Sequence, residues 1–141
     1  TRLQSGPTVN IQAGQDINLN GINNARPNIV GPIKLNTSGS RDARIAQYFD
    51  PSAFARPAAG SLGTASRNLL YGPGSQQWDL SVFRYFPIHE RHRLQFRAEF
   101  FNLPNLVNFG KPVSSQTSAS FGKIISADSA RVVQLGLKYN F

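Results

Sequence analysis

The last eight residues of the chain alternate between two kinds of side chain, and this pattern limits the possible fold more than any other feature of the sequence. From residue 134 onward, every second side chain is apolar and those between are small or polar. The apolar positions are Leu135, Leu137, Tyr139 and Phe141, and the alternate positions are Gln134, Gly136, Lys138 and Asn140. Because side chains of a strand point alternately to its two faces, residues 131–141 are predicted to form a strand with one apolar face.

The length of this strand matches a lipid bilayer. Residues 131–141 extend about 36 Å as a strand, and a tilt of roughly 40° leaves a rise of about 27 Å. The apolar band of a bacterial outer-membrane barrel is about 25 Å tall. No apolar run approaches the ~18 residues of a membrane helix, so any crossing of a bilayer is predicted to use strands. An edge strand of a soluble sheet is the alternative for this segment.

Residues 92–101 alternate in the same way. Their apolar side chains are Leu94, Phe96, Ala98 and Phe100, and their polar ones are Arg93, Gln95, Arg97 and Glu99. A face with so many charges is a poor protein core, but it suits the water-filled or plugged interior of a barrel. We therefore predict an all-β fold, with antiparallel strands from the C-terminal end of a large transmembrane β-barrel. The side chains predicted to face its lumen are Asp79, Arg93, Arg97, Glu99 and Lys138.

One irregularity marks a further strand, which is predicted over residues 77–86. Apolar residues occupy every second position from Trp78 to Val82, but strict alternation would add Arg84 to the same face. An arginine that faces lipid costs about 2–4 kcal/mol at the midplane of the bilayer. We expect a bulge near Val82 that turns Arg84 inward and the aromatic side chains beside it outward.

Connection lengths predict the organisation of the chain. Residues 1–75 are expected to hold the end of one barrel strand and a long extracellular loop, and residues 76–141 the last three strands. A short turn at 87–91 and a long loop at 102–130 would join these strands. Because outer-membrane barrels have short periplasmic turns and long outer loops, the turn is expected on the periplasmic side.

Aromatic side chains then fall at the two ends of the predicted strands. Trp78 and Phe100 are expected in the outer aromatic girdle, and Phe86 in the inner one together with Tyr139 and Phe141.

The first long loop is rich in Gly, Asn, Pro and Ser and has no helical periodicity, but apolar residues recur along it. These are predicted to pin it as an ordered segment, and they are Ile29, Val30, Ile33, Leu35, Tyr48, Phe49 and Phe54. A single helical turn is expected where Asp50 can cap Pro51. The tripeptide Phe-Gly-Lys occurs at 109–111 and again at 121–123, either as two arms of a hairpin or by chance.

The composition points to no enzyme. A net charge of +8 suggests a polyanionic partner, but the charge is spread evenly and no run of Lys or Arg occurs. Cysteine is absent, which excludes disulfides and thiolate metal sites. The acidic residues show no catalytic spacing. His89 and His92 flank Glu90 and could bind a metal, but a solvated turn is favoured, and no catalytic, cofactor or metal site is predicted.

Four ordered motifs carry a resemblance to a known family. They are Gly72-Pro-Gly with Trp78-Asp-Leu-Ser, Glu90-Arg-His-Arg-Leu-Gln-Phe-Arg-Ala-Glu-Phe-Phe-Asn102, Asn105 with Asn108-Phe-Gly, and Gln134-Leu-Gly-Leu-Lys-Tyr-Asn-Phe141. Together they resemble the C-terminal end of Oar-like TonB-dependent receptors of the bacterial outer membrane. The last motif also resembles the signal by which the barrel assembly machinery recognises its clients, through Gln134, Gly136, Tyr139 and Phe141.

The resemblance implies a barrel of about 22 strands, filled by a plug domain and importing a substrate with energy from TonB. Its partners would be outer-membrane lipid, the assembly machinery, the rest of the barrel with its plug and, through that plug, TonB. No plug or TonB box is recognisable in these residues, and three strands cannot close a barrel, which needs about eight. The chain is therefore expected to be a fragment that does not transport alone.

Two alternatives stay open. A soluble β-sandwich adhesin would bind glycans with its loops, and it requires that the apolar faces of residues 92–101 and 131–141 pack against each other. A basic nucleic-acid-binding β protein is disfavoured by the even charge and by aromatic residues expected opposite the arginines.

Overall fold

The computed structural model describes residues 1–89 and 92–141 of the chain. The described residues are almost entirely strand and loop, as predicted. The strands are β1 (Arg2–Gln4), β2 (Thr8–Val9), β3 (Asn28–Ile29), β4 (Phe54–Ala55), β5 (Leu70–Tyr71), β6 (Ser75–Gln77), β7 (Leu80–His89), β8 (His92–Phe101) and β9 (Val132–Asn140). Helix α1 spans Arg41–Ala46, and a 3₁₀ turn spans Pro51–Ala53. None of the helices in these ranges is long and apolar enough to cross a membrane.

The chain folds as two compact units. The sheet unit contains Thr1–Gln4, Ser75–Asn108 and Asp128–Phe141, and the loop unit contains Ser5–Gly74 and Phe109–Ala127. In the sheet unit, β7, β8 and β9 form an antiparallel sheet in that order, and the short strands β1 and β6 pair with each other.

The register of the sheet fixes which side chains share a face. Leu80 lies opposite Phe100, and in the next pair of strands Phe96 lies opposite Leu137. Directly opposed residues point to the same side of a sheet, so the apolar positions of β8 and β9 form one surface. The soluble sandwich required these positions to face each other across two layers, whereas they lie side by side in one layer.

The predicted bulge near Val82 is wrong. Pairing continues without a break from Leu80 to Pro87, and the only shift in the described register lies between Pro87 and His89. Arg84 therefore lies on the apolar face, where its guanidinium carbon is 5.3 Å from the centre of the Phe86 ring. Arg84 is the fifth of the ten residues of β7 and thus lies near the middle of the strand, so this contact offsets only part of the cost of the charge.

The neighbours of Arg84 point the other way from the prediction. Phe83 and Tyr85 lie on the polar face, and the guanidinium of Arg97 lies 5.2 Å from the centre of the Phe83 ring. Aromatic and arginine side chains therefore share this face, so their expected separation no longer counts against nucleic-acid binding.

Strand β7 runs further than expected. Pro87 and Ile88 were predicted in the turn at 87–91, but both belong to the strand, and Pro87 pairs with Arg93. Glu90 and Arg91, which complete that turn, lie outside the described residues.

The loop unit has its own apolar core. Tyr48, Phe49 and Phe54 are buried, which confirms that they pin the loop. The rings of Phe49, Phe54 and Phe121 meet edge to face, with centroids 5.2–6.2 Å apart. The rest of the buried core consists of Val9, Ile11, Ala53, Leu70 and Ile124. The same prediction is wrong for Ile29, Val30 and Leu35, which are exposed.

Two short helical segments stand beside this core. The capped turn is confirmed, because the Asp50 carboxylate accepts a hydrogen bond of 3.0 Å from the backbone N–H of Ser52. Helix α1 was not predicted. Its six residues are too few to show a helical period, although Ser40 caps it by accepting from the N–H of Ala43 at 3.3 Å.

Residues 109–127 double back on themselves, as the hairpin interpretation of the repeated tripeptide predicts. The N–H of Gly110 donates to the carbonyl of Ser126, and the N–H of Val113 donates to that of Lys123, both at 2.8 Å. The two copies of Phe-Gly-Lys thus lie on opposite arms.

Candidate functional site

One face of the long sheet is almost entirely apolar and yet uncovered. We call it the apolar face, and it consists of Leu80, Val82, Phe86, Leu94, Phe96, Ala98, Phe100, Val133, Leu135, Leu137 and Tyr139, with Arg84 among them. Leu135 and Leu137 are 66% and 68% exposed. An exposed apolar surface of this extent marks contact with another apolar phase.

The opposite face carries charge and is called the polar face. The pairing places Arg93, Arg97, Glu99 and Lys138 on it, together with Gln134 and Gly136. Glu99 is nearly buried, and its carboxylate receives the guanidinium of Arg97 and a 3.5 Å hydrogen bond from the Ser81 hydroxyl. This ion pair satisfies both charges within the face.

Asp79 does not join that network. It lies between β6 and β7, where its carboxylate accepts a 3.0 Å hydrogen bond from the backbone N–H of Asn102. Its role in this structure is to hold the end of β8 beside the start of β7.

Aromatic side chains occupy both ends of the apolar face. Phe100 lies opposite Leu80 at one end. Trp78, two residues before Leu80, is half-exposed, and its carbonyl accepts a hydrogen bond of 2.8 Å from the N–H of Leu103. At the other end, the pairing brings Phe86, Leu94 and Tyr139 into one row.

Tyr139 also contacts a histidine at that end. Its hydroxyl lies 2.7 Å from Nδ1 of His92, and the two rings stack with centroids 5.7 Å apart. Phe141 follows with 92% of its surface exposed, its ring 6.1 Å from that of Tyr139. His92 is therefore engaged with an aromatic partner, and across residues 1–89 and 92–141 no three His, Asp or Glu side chains form a group that could hold a metal ion.

Three asparagines fasten the segment after β8, and we call them the asparagine anchor. Asn102 and Asn105 adopt positive φ angles of 53° and 56°, a left-handed conformation that asparagine tolerates better than most residues. The Asn102 amide donates to the carbonyl of Leu106 and accepts from its N–H, both at 2.9 Å. The Asn105 side chain accepts from the N–H of Arg131 at 3.0 Å, just before β9 begins.

Asn108 completes the anchor, because its side chain makes the hydrogen bonds of a paired strand residue. Its buried amide accepts from the N–H of Gln76 and donates to the carbonyl of the same residue, each at 2.8 Å. These are the two hydrogen bonds that a paired residue of a neighbouring strand would make. The resemblance motifs contain these three asparagines, but no role was predicted for them from the sequence; their regular spacing of three residues was the available signal.

A comparison with protein families agrees with this geometry. A family model described as "Outer membrane beta barrel domain" matches residues 1–134, nearly the whole chain. Searches of curated proteins and of solved structures gave no match. The exposed apolar face, the charged opposite face and this match lead to one conclusion: the chain belongs to the outer membrane beta barrel domain family and is a β-barrel protein of the bacterial outer membrane.

Proposed function

We propose that this chain is part of the barrel of a TonB-dependent receptor, which binds a substrate outside the cell and imports it. The sequence motifs support this finer assignment through their resemblance to the C-terminal end of Oar-like receptors. The proposal gives the chain a role in binding and transport and none in catalysis.

Strand connections support an orientation. Only residues 90 and 91 separate β7 from β8, whereas residues 102–131 separate β8 from β9. Barrels of this membrane have short periplasmic turns and long outer loops. We therefore place His92 and Tyr139 at the periplasmic rim and the asparagine anchor at the outer rim.

The edges of the sheet support a larger assembly. In the described residues, β7 and β9 each pair along their length with β8 alone, which leaves the outer edge of both strands open. A barrel closes such edges, and it needs about eight strands or more. We propose that further strands complete the wall, so that the polar face lines the lumen and Arg93 and Arg97 meet a plug domain or a passing substrate.

One observation favours a receptor over a simple pore: the long loops fold into a unit with its own buried core. An ordered loop unit provides a surface that can select a ligand, which an open diffusion channel does not require.

The proposal is tested on the protein in its native membrane. An antibody raised against the loop unit would isolate it from outer membranes, and its intact mass and its cross-linking to TonB would be measured. A receptor predicts a mass several times the 15.5 kDa of this chain and a cross-link that deletion of the TonB box abolishes. A large barrel without any TonB cross-link would contradict the receptor assignment and favour a passive pore.

A further inference from the structure

The loop unit contains a polar cavity of about 420 Å³. Its walls come from residues 10–26 and 62–67, and they are rich in amide side chains. These amide side chains include Asn10, Gln12, Asn18 and Asn24. Cavities of this size hold small molecules, in this case roughly one or two sugar rings.

The charge of the cavity has one sign. Arg26 and Arg67 line it, and among the described residues no Asp or Glu does. Neither guanidinium has a carboxylate within ion-pair distance in the described part of the chain, where the one ion pair is Arg97 with Glu99. Two uncompensated guanidinium groups that line one cavity attract an anion, and each can donate to its oxygens.

The amides add donors and acceptors for neutral groups. In the same wall, the Oδ1 atom of Asn18 is buried and has no hydrogen-bond partner among the described residues. Such an acceptor is uncommon in folded proteins and is satisfied when a ligand or water donates to it. Amide side chains suit hydroxyl groups, which both donate and accept.

Hydrogen bonds hold the two arginine-bearing segments together. The N–H of Ala65 donates to the carbonyl of Pro27 at 3.0 Å, and the N–H of Thr64 donates to the Asn28 side chain at 3.1 Å. Gly63 allows this close approach, since a Cβ atom there would overlap the carbonyl oxygen of Arg26.

The remaining walls are tied in the same manner. Asn10 accepts from the N–H of Asn68 at 2.6 Å, and the N–H of Ala13 donates to the carbonyl of Ala25 at 2.8 Å. The backbone around the cavity is therefore fixed before any ligand arrives, which lowers the entropic cost of binding.

We infer that this cavity binds a small anionic sugar, whose acid group contacts Arg26 and Arg67 and whose hydroxyls contact the amides. The acid group is a carboxylate or a phosphate ester, because a guanidinium pairs with either. As the site of substrate capture this inference rests on the proposed receptor function, whereas binding itself does not.

The test is a titration of the full chain, folded in detergent micelles and labelled with ¹⁵N, with four probes: glucuronate, glucose 6-phosphate, glucose and inorganic phosphate. We expect saturable shifts of amide signals from the cavity wall with glucuronate or glucose 6-phosphate, and at least about tenfold weaker binding of the other two. The sugar acid that binds more tightly identifies the acid group.

Variants locate the site. Arg26→Gln and Arg67→Gln should each weaken binding about tenfold, while Arg67→Lys keeps the charge and should retain more affinity than Arg67→Gln. The matched control is Arg56→Gln, an exposed arginine of the same unit outside the cavity lining, which should stay within about twofold of the wild type. Circular dichroism would check that each variant folds.

Three results would overturn the inference. If glucose bound as tightly as the two sugar acids, the arginines would have no role in binding. If inorganic phosphate bound as tightly, the amides would have none. A loss with Arg56→Gln as large as that with Arg26→Gln would reduce the binding to general charge attraction. A failed TonB cross-link leaves all of these measurements intact, so the two proposals fail separately.

Discussion

Asn108 shows how one side chain fastens a long loop to a strand. Its buried amide makes both hydrogen bonds of a strand partner with the backbone of Gln76. Replacing it by alanine would leave a backbone donor and acceptor without partners, at about 1–3 kcal/mol in unfolding free energy.

We predict this loss for Asn108→Ala, measured by urea unfolding in micelles and followed by the fluorescence of Trp78, the one tryptophan. The control is Asn23→Ala in the loop unit, which removes an exposed asparagine and should change the free energy by less than about 0.5 kcal/mol. Equal effects of the two variants would contradict the anchoring role.

Tyr48 gives the loop unit a pH dependence. Burial raises the pKa of its phenol above the ordinary value of about 10, and the Arg44 guanidinium opposes part of this rise. The neutral hydroxyl donates to the carbonyl of Tyr71 at 3.0 Å. Since the folded state holds the proton more tightly, its contribution is fully present below pH 10 and is lost as the pH rises through the raised pKa.

The unfolding free energy of the wild type should therefore fall as the pH is raised above about 10, as followed by near-ultraviolet circular dichroism. Tyr48→Phe should lose about 1 kcal/mol at pH 7 and show a smaller fall at high pH. Tyr71→Phe removes the hydroxyl of an exposed ring but keeps the backbone carbonyl that accepts from Tyr48, so it should behave like the wild type. A steep alkaline fall in Tyr48→Phe would show that another group is responsible.

At the scale of the strand, Arg84 is the one charge on the apolar face. Arg84, Phe96 and Leu137 form one row across β7, β8 and β9. An arginine in lipid costs between about 0 and 4 kcal/mol, according to its depth. Its contact with Phe86 recovers only part of this cost.

Arg84→Leu should accordingly stabilise the protein in lipid vesicles by about 1–2 kcal/mol, and Leu137→Arg in the same row should destabilise it by at least as much. Equilibrium unfolding in vesicles by urea would measure both. If Arg84→Leu were strongly destabilising instead, the face would not be in contact with lipid.

Strands β8 and β9 could be predicted from sequence because apolar and polar residues alternate over residues 93–100 and 133–140. The register of β7 was predicted wrongly, because a bulge was expected where strict alternation would put Arg84 on the apolar face. The ring of Phe86 contacts this charge and offsets part of its cost. Helix α1 left no period to detect, and its signal was limited to the cap at Ser40.

The loop unit was predictable in part. Three aromatic or apolar positions, Tyr48, Phe49 and Phe54, were identified as points of attachment because they interrupt a polar segment. The core also needs Val9, Ile11 and Ile124, which lie far away in the chain. The cavity had no sequence signal, because its walls are contributed by separated segments whose meeting depends on backbone hydrogen bonds.

For the molecule as a whole, the uncovered apolar face predicts dependence on an amphiphile. In aqueous buffer the chain is expected to aggregate, and in detergent micelles it should show the circular dichroism of strands. Sedimentation and circular dichroism on the same samples would test this. A monomer that melts cooperatively in plain buffer would contradict the contact of the apolar face with lipid.

The most direct test compares the environments of two adjacent side chains in β9. The chain has no cysteine, so Leu135→Cys and Gln134→Cys each provide one site for a fluorescent label. In phospholipid vesicles, the label at 135 should be quenched by a quencher fixed to the acyl chains and protected from iodide in water, and the label at 134 should show less quenching by lipid. Equal quenching of both positions by iodide would show that the apolar face does not lie against the membrane.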